Sequence, residues 1–221
     1  MLIGNFGRRF QGKTTLAVYI ADQVCRRAIL DPRELVRRPG AVVVRSARHL
    51  RLAFEALNAD DVSELVYSPI ENHAEAFKAF ASELRRWSIE YRESDLAVVI
   101  DETTFYGSID HDAGPFMFTI KTCDVERMTI ILTCHRPVDL PVDVRALLNR
   151  LALFRTTQEH DLDVIRKRCG SDVVELVQQL GDREYVAWND DNATYEVNRA
   201  PYVWATELAP AGAAESILVL G

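Results

Sequence analysis

The segment Gly7 to Thr14 reads GRRFQGKT and has residue types and spacing suited to binding phosphate. It satisfies the pattern G-x-x-x-x-G-K-[ST] at each defined position. In such a loop the glycines let backbone N–H groups approach phosphate oxygens, and the start of the following helix adds positive potential. A short apolar run precedes the loop and an amphipathic segment follows it. The pattern therefore predicts a site for a nucleoside triphosphate, and we expect ATP with Mg²⁺.

Each position of this loop has its own expected role. The Lys13 ammonium should reach the β- and γ-phosphates, and the Thr14 hydroxyl should bind Mg²⁺. The other residues expected around the nucleotide are Gly7, Arg9, Gln11, Gly12 and Thr15. The four residues between the glycines are bulkier than is common. Their side chains must point away from the phosphates, or Arg9 must join the residues that bind them.

The acidic pair Asp101-Glu102 follows the apolar run 96–100 and is the second candidate for chemistry. Taken alone, such a pair after a strand is also common as helix-capping chemistry. Beside a phosphate-binding loop it has a more specific meaning. We expect Asp101 to hold Mg²⁺ through water and Glu102 to orient and deprotonate an attacking water.

His135 follows the next strong apolar run, 129–133, after Cys134, and is a third candidate. We expect it to sense the γ-phosphate or to help align water. Two alternatives stay open: a metal site shared with Cys134, and a histidine with a structural role only.

An arginine from a neighbouring subunit often stabilises the transition state of phosphoryl transfer. Arg145 and Arg150 rank first as candidates, because they lie just past the strand that ends at His135. Further candidates are Arg127, Arg136 and Arg155.

The elements that must position these residues follow from the apolar pattern. We expect strands at 1–6, 41–44, 64–67, 96–100, 129–133 and 151–154, and helices at 14–27, 47–57, 70–92 and 159–180, the last broken at Gly170. Segments 184–188 and 193–197 flank a turn-rich stretch that predicts a C-terminal β-hairpin. Runs that are apolar on both faces belong in a parallel sheet with helices on each side. The prediction is an α/β three-layer sandwich, one domain over 1–205 with an extended tail over 206–221.

Charge is unevenly distributed along the chain. The formal net charge is −7, yet segment 1–51 holds eleven basic and three acidic residues, or +8, which leaves 15 basic and 30 acidic residues in the rest. A polarised molecule can bind phosphate with one surface. Alternatively, these arginines pair with the acidic segment across the fold. No run reaches the ~18–20 apolar residues that a membrane helix needs, and no signal peptide is evident, so a cytoplasmic location is predicted.

Three segments, GRRFQGKT, LAVVIDE and ILTCHRPVDLP, in this order and spacing resemble the HerA–FtsK superfamily of DNA-pumping ATPases over about residues 2–180. The resemblance implies a RecA-like P-loop ATPase core. It further implies a homo-oligomeric ring, expected to be a hexamer, that threads double-stranded DNA with energy from ATP.

A core without large appended domains is similar to the genome-packaging ATPases of icosahedral viruses with an internal membrane. That similarity implies work in the host cytoplasm and at the virion vertex, with a capsid or membrane-vertex protein as partner. Alternatives are a cellular HerA/FtsK-like or filamentous-phage assembly ATPase, a small-molecule or nucleotide kinase, and a non-hydrolysing scaffold.

Overall fold

The sheet and its helices are defined by a computed structural model, which describes residues 1–70, 73–91, 94–105, 120–121, 127–201 and 218–220. The strands are β1 Leu2–Phe6, β2 Arg27–Leu30, β3 Val42–Val44, β4 Glu64–Tyr67, β5 Leu96–Ile100, β6 Met128–Cys134, β7 Arg150–Phe154, β8 Glu184–Asn189, β9 Thr194–Arg199 and β10 Leu218–Leu220. The helices are α1 Lys13–Ala21, α2 Leu50–Asn58, α3 His73–Glu90, α4 Val142–Ala146, α5 Glu159–Cys169 and α6 Ser171–Gln179. Short 3-10 turns occur at Ala47–His49, Thr103–Phe105 and Pro137–Asp139.

All ten strands form one sheet in the order β10-β3-β4-β2-β5-β6-β1-β7-β8-β9. Strands from β10 to β7 run parallel, and β8 and β9 are antiparallel to their neighbours. The predicted α/β class, the mostly parallel central sheet and the C-terminal hairpin are therefore confirmed.

Two apolar layers cover the opposite faces of the central strands. Alternate strand residues point to opposite faces, so Val98 and Ile130 belong to the apolar cluster that includes residues of α2, α3, α5 and α6, whereas Val99 and Ile131 belong to the cluster that includes residues of α1. All four side chains are almost completely buried. Burial on both faces explains why these strands read as continuous apolar runs, and it makes the fold a three-layer sandwich.

The predicted helix over 14–27 was wrong in its second half. Helix α1 ends at Ala21, where Gln23 and Val24 donate to carbonyls only three residues back and so close tight turns. Arg27 then begins strand β2, which lies between β4 and β5. The helical spacing of apolar residues continues to Val24, so the sequence pattern predicts a longer helix and gives no sign of the short strand β2.

The C-terminal part adds one strand to the sheet edge. Strand β10 pairs in parallel with β3 and lies within the segment predicted as an extended tail. The domain boundary at residue 205 stays a prediction. Among the described residues, no helix is both long and apolar enough to cross a bilayer.

Ion pairs neutralise much of the basic N-terminal segment. Six of its eleven basic residues contact carboxylates, namely Arg26, Arg27, Arg33, Arg38, Arg45 and Arg51. Arg9 and Arg37 are exposed. Five of its ten arginines thus pair with carboxylates of the acidic remainder of the chain, as one of the two interpretations of the charge asymmetry expects, whereas Arg45 pairs with Glu34 inside the segment.

Candidate nucleotide-binding and catalytic site

Three adjacent strands bring the predicted residues to one edge of the sheet. Strand β6 lies between β5 and β1 in a parallel arrangement, with Ile100 opposite Leu132 and Phe6 opposite Cys134. The carboxyl ends of the three strands therefore lie side by side. The loop after Phe6, the acidic pair after Ile100 and His135 after Cys134 are brought together as predicted.

The loop Gly7–Thr14 uses left-handed backbone at two positions. Gly12 has a φ of 94° and precedes α1, and Phe10 has a φ of 66° with 94% of its surface exposed. Gly7 is needed for close packing, since a Cβ there would lie 2.5 Å from Cβ of Phe154. Gln11 braces the loop, because its Oε1 accepts from Arg8 N (2.6 Å) and its Nε2 donates to Arg155 O (3.2 Å).

The bulky residues of the loop divide between the outside and the cleft. Arg8 points outward and donates to Oγ1 of Thr157 at 2.9 Å. Arg9 lines a cleft of about 480 Å³ together with Gly12, Lys13, Thr14 and Thr15. Of the seven residues predicted around the nucleotide, these five face the cleft, while Gly7 and Gln11 support the loop.

Lys13 is the buried cation of the site. Its side chain lies on the first turn of α1, and the residue is only 5% exposed. Nζ donates to Arg8 O at 3.0 Å and lies 3.4 Å from Nδ1 of His135. Burial lowers the pKa of Lys13, and the nearby carboxylates of Glu102 and Asp101 oppose that shift.

Asp101 is fully buried, and one of its carboxylate oxygens accepts hydrogen bonds from two hydroxyl groups. Its Oδ1 lies 2.7 Å from Oγ1 of Thr14 and 2.7 Å from Oγ1 of Thr133. The contact to Thr14 joins the two residues predicted to hold Mg²⁺. Thr133, in strand β6, was not predicted as a site residue because it reads as the last member of an apolar run.

Glu102 has an uncommon left-handed backbone conformation, and both its backbone and its carboxylate are fixed by neighbouring residues. It has a φ of 49° and is 1% exposed. A non-glycine residue in this region carries strain of about 1–2 kcal/mol. The backbone N donates to Oγ1 of Thr133 (2.9 Å), and Oε2 lies 3.0 Å from Nε2 of His135.

His135 connects the lysine to the glutamate. Nδ1 of His135 lies 3.4 Å from both Nζ of Lys13 and the carbonyl oxygen of Gly7, and Nε2 lies 3.0 Å from Oε2 of Glu102. Within the described part of the chain, no group of three or more His, Cys, Asp or Glu side chains is arranged to hold a metal ion. The contacts of His135 therefore favour a role beside Glu102 over a metal site with Cys134.

Two further arginines at the cleft were missed by sequence reasoning. Nη2 of Arg33 lies 2.8 Å from Oε1 of Glu102 and 3.4 Å from Oδ2 of Asp101. Arg183 follows α6, donates to the carbonyl oxygens of Ala200 and Pro201, and lies against Gly12. Arg33 lies in the loop that follows β2. Had β2 been predicted, that loop would have been expected at the same edge of the sheet as the other site residues.

The five candidate arginine-finger residues lie in different surroundings. Nε of Arg136 contacts the buried carboxylate of Asp161 at 3.2 Å, and Arg150 contacts Asp191 at 2.7 Å. Arg145 is partly buried next to Arg168, and burial lowers its pKa. Arg127 and Arg155 are exposed. Any role of these residues toward a neighbouring subunit stays a prediction.

The cleft fits a magnesium nucleotide in size and chemistry. Its volume of about 480 Å³ lies within the range of small-molecule sites, about 300–1,000 Å³. Lys13 and the N-terminus of α1 supply positive potential for phosphate. The Thr14 hydroxyl and the Asp101 carboxylate supply hard oxygen ligands of the type that Mg²⁺ prefers.

The order of the strands and the position of the GRRFQGKT loop define a RecA-like α/β fold with a P-loop at this edge of the sheet. No protein-family model matches the chain, and no curated protein matches its sequence. Solved structures do match it.

One is the genome packaging NTPase B204 from Sulfolobus turreted icosahedral virus 2 in complex with AMPPCP, with a TM-score of 0.73, 15% identity, and coverage of 91% of this chain and 98% of that chain. Another is VirB4 of Thermoanaerobacter pseudethanolicus, with a TM-score of 0.67, 12% identity, and coverage of 91% of this chain and 89% of that chain. A third is the N-terminal domain of zonular occludens toxin from Neisseria meningitidis, with a TM-score of 0.50, 12% identity, and coverage of 92% of this chain and 96% of that chain. The resemblance drawn from the motifs is thus confirmed in the fold.

Proposed function

We propose that this protein is an ATP-hydrolysing DNA translocase that packages viral double-stranded DNA into a preformed capsid. The observation that carries the proposal is the buried Glu102, fixed by Thr133 and His135 next to the Thr14–Asp101 pair. A binding site alone would not need a second buried carboxylate in a strained conformation. The fold shared with a viral genome packaging NTPase supports the choice of packaging.

The roles of the residues follow from their positions. Backbone N–H groups of the loop and Lys13 bind the β- and γ-phosphates. Mg²⁺ held by Thr14 and, through water, by Asp101 would neutralise charge on the phosphates. Glu102 orients a water and takes its proton, and His135 keeps the carboxylate of Glu102 in place and senses the γ-phosphate.

Work on DNA requires more than one subunit in this proposal. A ring, expected to be a hexamer, encloses double-stranded DNA, and an arginine of the neighbouring subunit completes each site. Arg145 and Arg150 remain the leading candidates for that arginine. The protein would act in the host cytoplasm and at the virion vertex, on a capsid or membrane-vertex partner.

The proposal is tested by ATPase assays with and without double-stranded DNA over a salt series. Affinity for DNA rests on phosphate neutralisation, so stimulation by DNA should fall steeply as salt rises. Lys13→Ala is the matched control, since it should abolish hydrolysis at every salt concentration. A rate of hydrolysis that DNA does not change at any salt concentration would contradict translocation. Phosphoryl transfer to a nucleoside or nucleotide would indicate a kinase instead.

A cellular HerA/FtsK-like ATPase is the second candidate, favoured by the likeness to VirB4 over 91% of this chain. Both candidates predict DNA-stimulated hydrolysis. They differ in the partner, because only packaging requires a capsid. Protection of DNA from nuclease that depends on both ATP and capsids supports packaging, and DNA stimulation without such protection supports the cellular alternative.

A further inference from the structure

Arg33 is the guanidinium that neutralises the two buried carboxylates of the site. It is the third residue after β2, and its Nη2 reaches Oε1 of Glu102 (2.8 Å) and Oδ2 of Asp101 (3.4 Å). Both carboxylates are almost completely buried, at 1% and 0% exposure. Buried carboxylates need such a partner, so Arg33 belongs to the chemistry of this edge.

The backbone that carries Arg33 is fixed, and its side chain reaches into the cleft. Asp31 is fully buried at the end of β2, and its carboxylate accepts from Arg33 N (3.1 Å) and Val36 N (2.6 Å). The Arg33 side chain is 27% exposed and lines the same cleft as Lys13 and Thr14. A fixed backbone with a long side chain at an open cleft allows the guanidinium to change partners without movement of the loop.

The contacts of Arg33 leave one of its donors unused. Nε is buried and has no hydrogen-bond acceptor among the described residues. An unsatisfied buried donor is unfavourable. A phosphate in the cleft would offer acceptors in a geometry that suits the planar fork of a guanidinium.

We propose that Arg33 is a positioning residue that exchanges partners during nucleotide binding. In the nucleotide-free protein it holds Glu102 and Asp101. When a magnesium nucleotide binds, Arg33 turns to the phosphates and leaves Glu102 able to accept a proton from water. This inference rests on the proposed ATPase site.

Electrostatics give the exchange its direction. A divalent cation at Thr14 and Asp101 lies next to the same carboxylates that Arg33 neutralises, so the two cations compete for them. The guanidinium is repelled by the ion and attracted by the phosphates. A permanent structural ion pair, by contrast, would support the site in both states.

The test is equilibrium binding without turnover. A fluorescent, non-hydrolysable ATP analogue is titrated with the full chain at several Mg²⁺ concentrations, and binding of Mg²⁺ alone is measured by calorimetry. The variants are Arg33→Gln and Arg33→Lys. Arg37→Gln is the matched control, since Arg37 is in the same loop, is exposed and is not among the residues that line the cleft.

The inference predicts effects of opposite sign in Arg33→Gln. The protein should bind Mg²⁺ alone about tenfold more tightly because the competing cation is gone, and bind the analogue at saturating Mg²⁺ about tenfold more weakly because a charge-assisted contact is lost. Arg33→Lys should keep the wild-type Mg²⁺ affinity and lose part of the analogue affinity. Arg37→Gln should match the wild type in both measurements.

Three results would overturn the inference. If Arg33→Gln weakens both Mg²⁺ and analogue binding, Arg33 only supports the structure of the site, and if it changes neither, the pair has no role in binding. Either result leaves the proposed function intact when wild type binds the analogue and Lys13→Ala does not. If the wild type fails to bind the analogue, both the inference and the proposed function fail.

Discussion

Replacing Thr133 by valine should damage both the stability and the activity of this protein. The Thr133 hydroxyl is fully buried, accepts from Glu102 N at 2.9 Å and donates to Oδ1 of Asp101 at 2.7 Å. Valine has nearly the same shape, so no cavity forms and the loss is confined to these two bonds. An unsatisfied buried N–H costs about 1–3 kcal/mol, and a hydrogen bond to a charged group contributes about 1.5–3 kcal/mol.

Allowing for partial relaxation, we expect the free energy of unfolding to fall by about 2–4 kcal/mol. Because Glu102 loses one of the contacts that fix its backbone, kcat should fall by up to ~100-fold, as for a misplaced catalytic group. Urea denaturation and steady-state ATPase assays measure the two effects. Thr133→Ser is the control, since it keeps the hydroxyl and loses a methyl group worth about 1 kcal/mol. If the valine and serine variants agree within about 0.5 kcal/mol and in kcat, the assigned role of Thr133 is wrong.

Two further predictions concern the loop and the C-terminal hairpin. Gly12→Ala should weaken nucleotide binding at least about tenfold and lower the free energy of unfolding by about 1–2 kcal/mol, because φ is 94° and a Cβ would lie 3.1 Å from Arg183. Gly170 has nearly the same φ, 92°, but a ψ of 170° in place of 15°, and nothing lies within 4 Å of a Cβ there, so Gly170→Ala should show backbone strain of its own without the binding defect; equal affinities for the two variants would refute the contact. The hydrogen bond from Arg168 lowers the pKa of Asp190, so this pair should stabilise the fold above the unfolded-state pKa of about 4 and lose that effect as pH falls through the lowered folded-state pKa. Asp190→Asn should therefore be less stable than wild type at neutral pH, with a gap that closes in acid; a gap that does not depend on pH in urea denaturation would contradict this.

The predicted part of the site consists of residues that directly follow strongly apolar strands. Asp101, Glu102 and His135 could be placed because β5 and β6 are buried on both faces and must lie in the middle of a parallel sheet. Parallel strands place their carboxyl ends at one edge, so the loop after β1 joins them. Motif and topology together were sufficient for these residues.

Three residues of the site could not be predicted, because their positions depend on contacts between distant parts of the chain that the local sequence pattern does not contain. Arg33 was lost because the helical spacing continues to Val24 and hides β2. Thr133 looks like an ordinary strand residue until its hydroxyl is seen between Asp101 and Glu102. Arg183 reaches Gly12 only through the return of the chain after α6, and no spacing in the sequence encodes that return.

The central claim is that Glu102 activates water for ATP hydrolysis, and Glu102→Gln tests it most directly. The side chain keeps its size and loses the ability to take a proton, so kcat should fall by about 100-fold or more. Binding of a non-hydrolysable ATP analogue should not weaken by more than about threefold, since Lys13 and Thr14 are unchanged. Turnover equal to that of the wild type, with or without double-stranded DNA, would contradict the account.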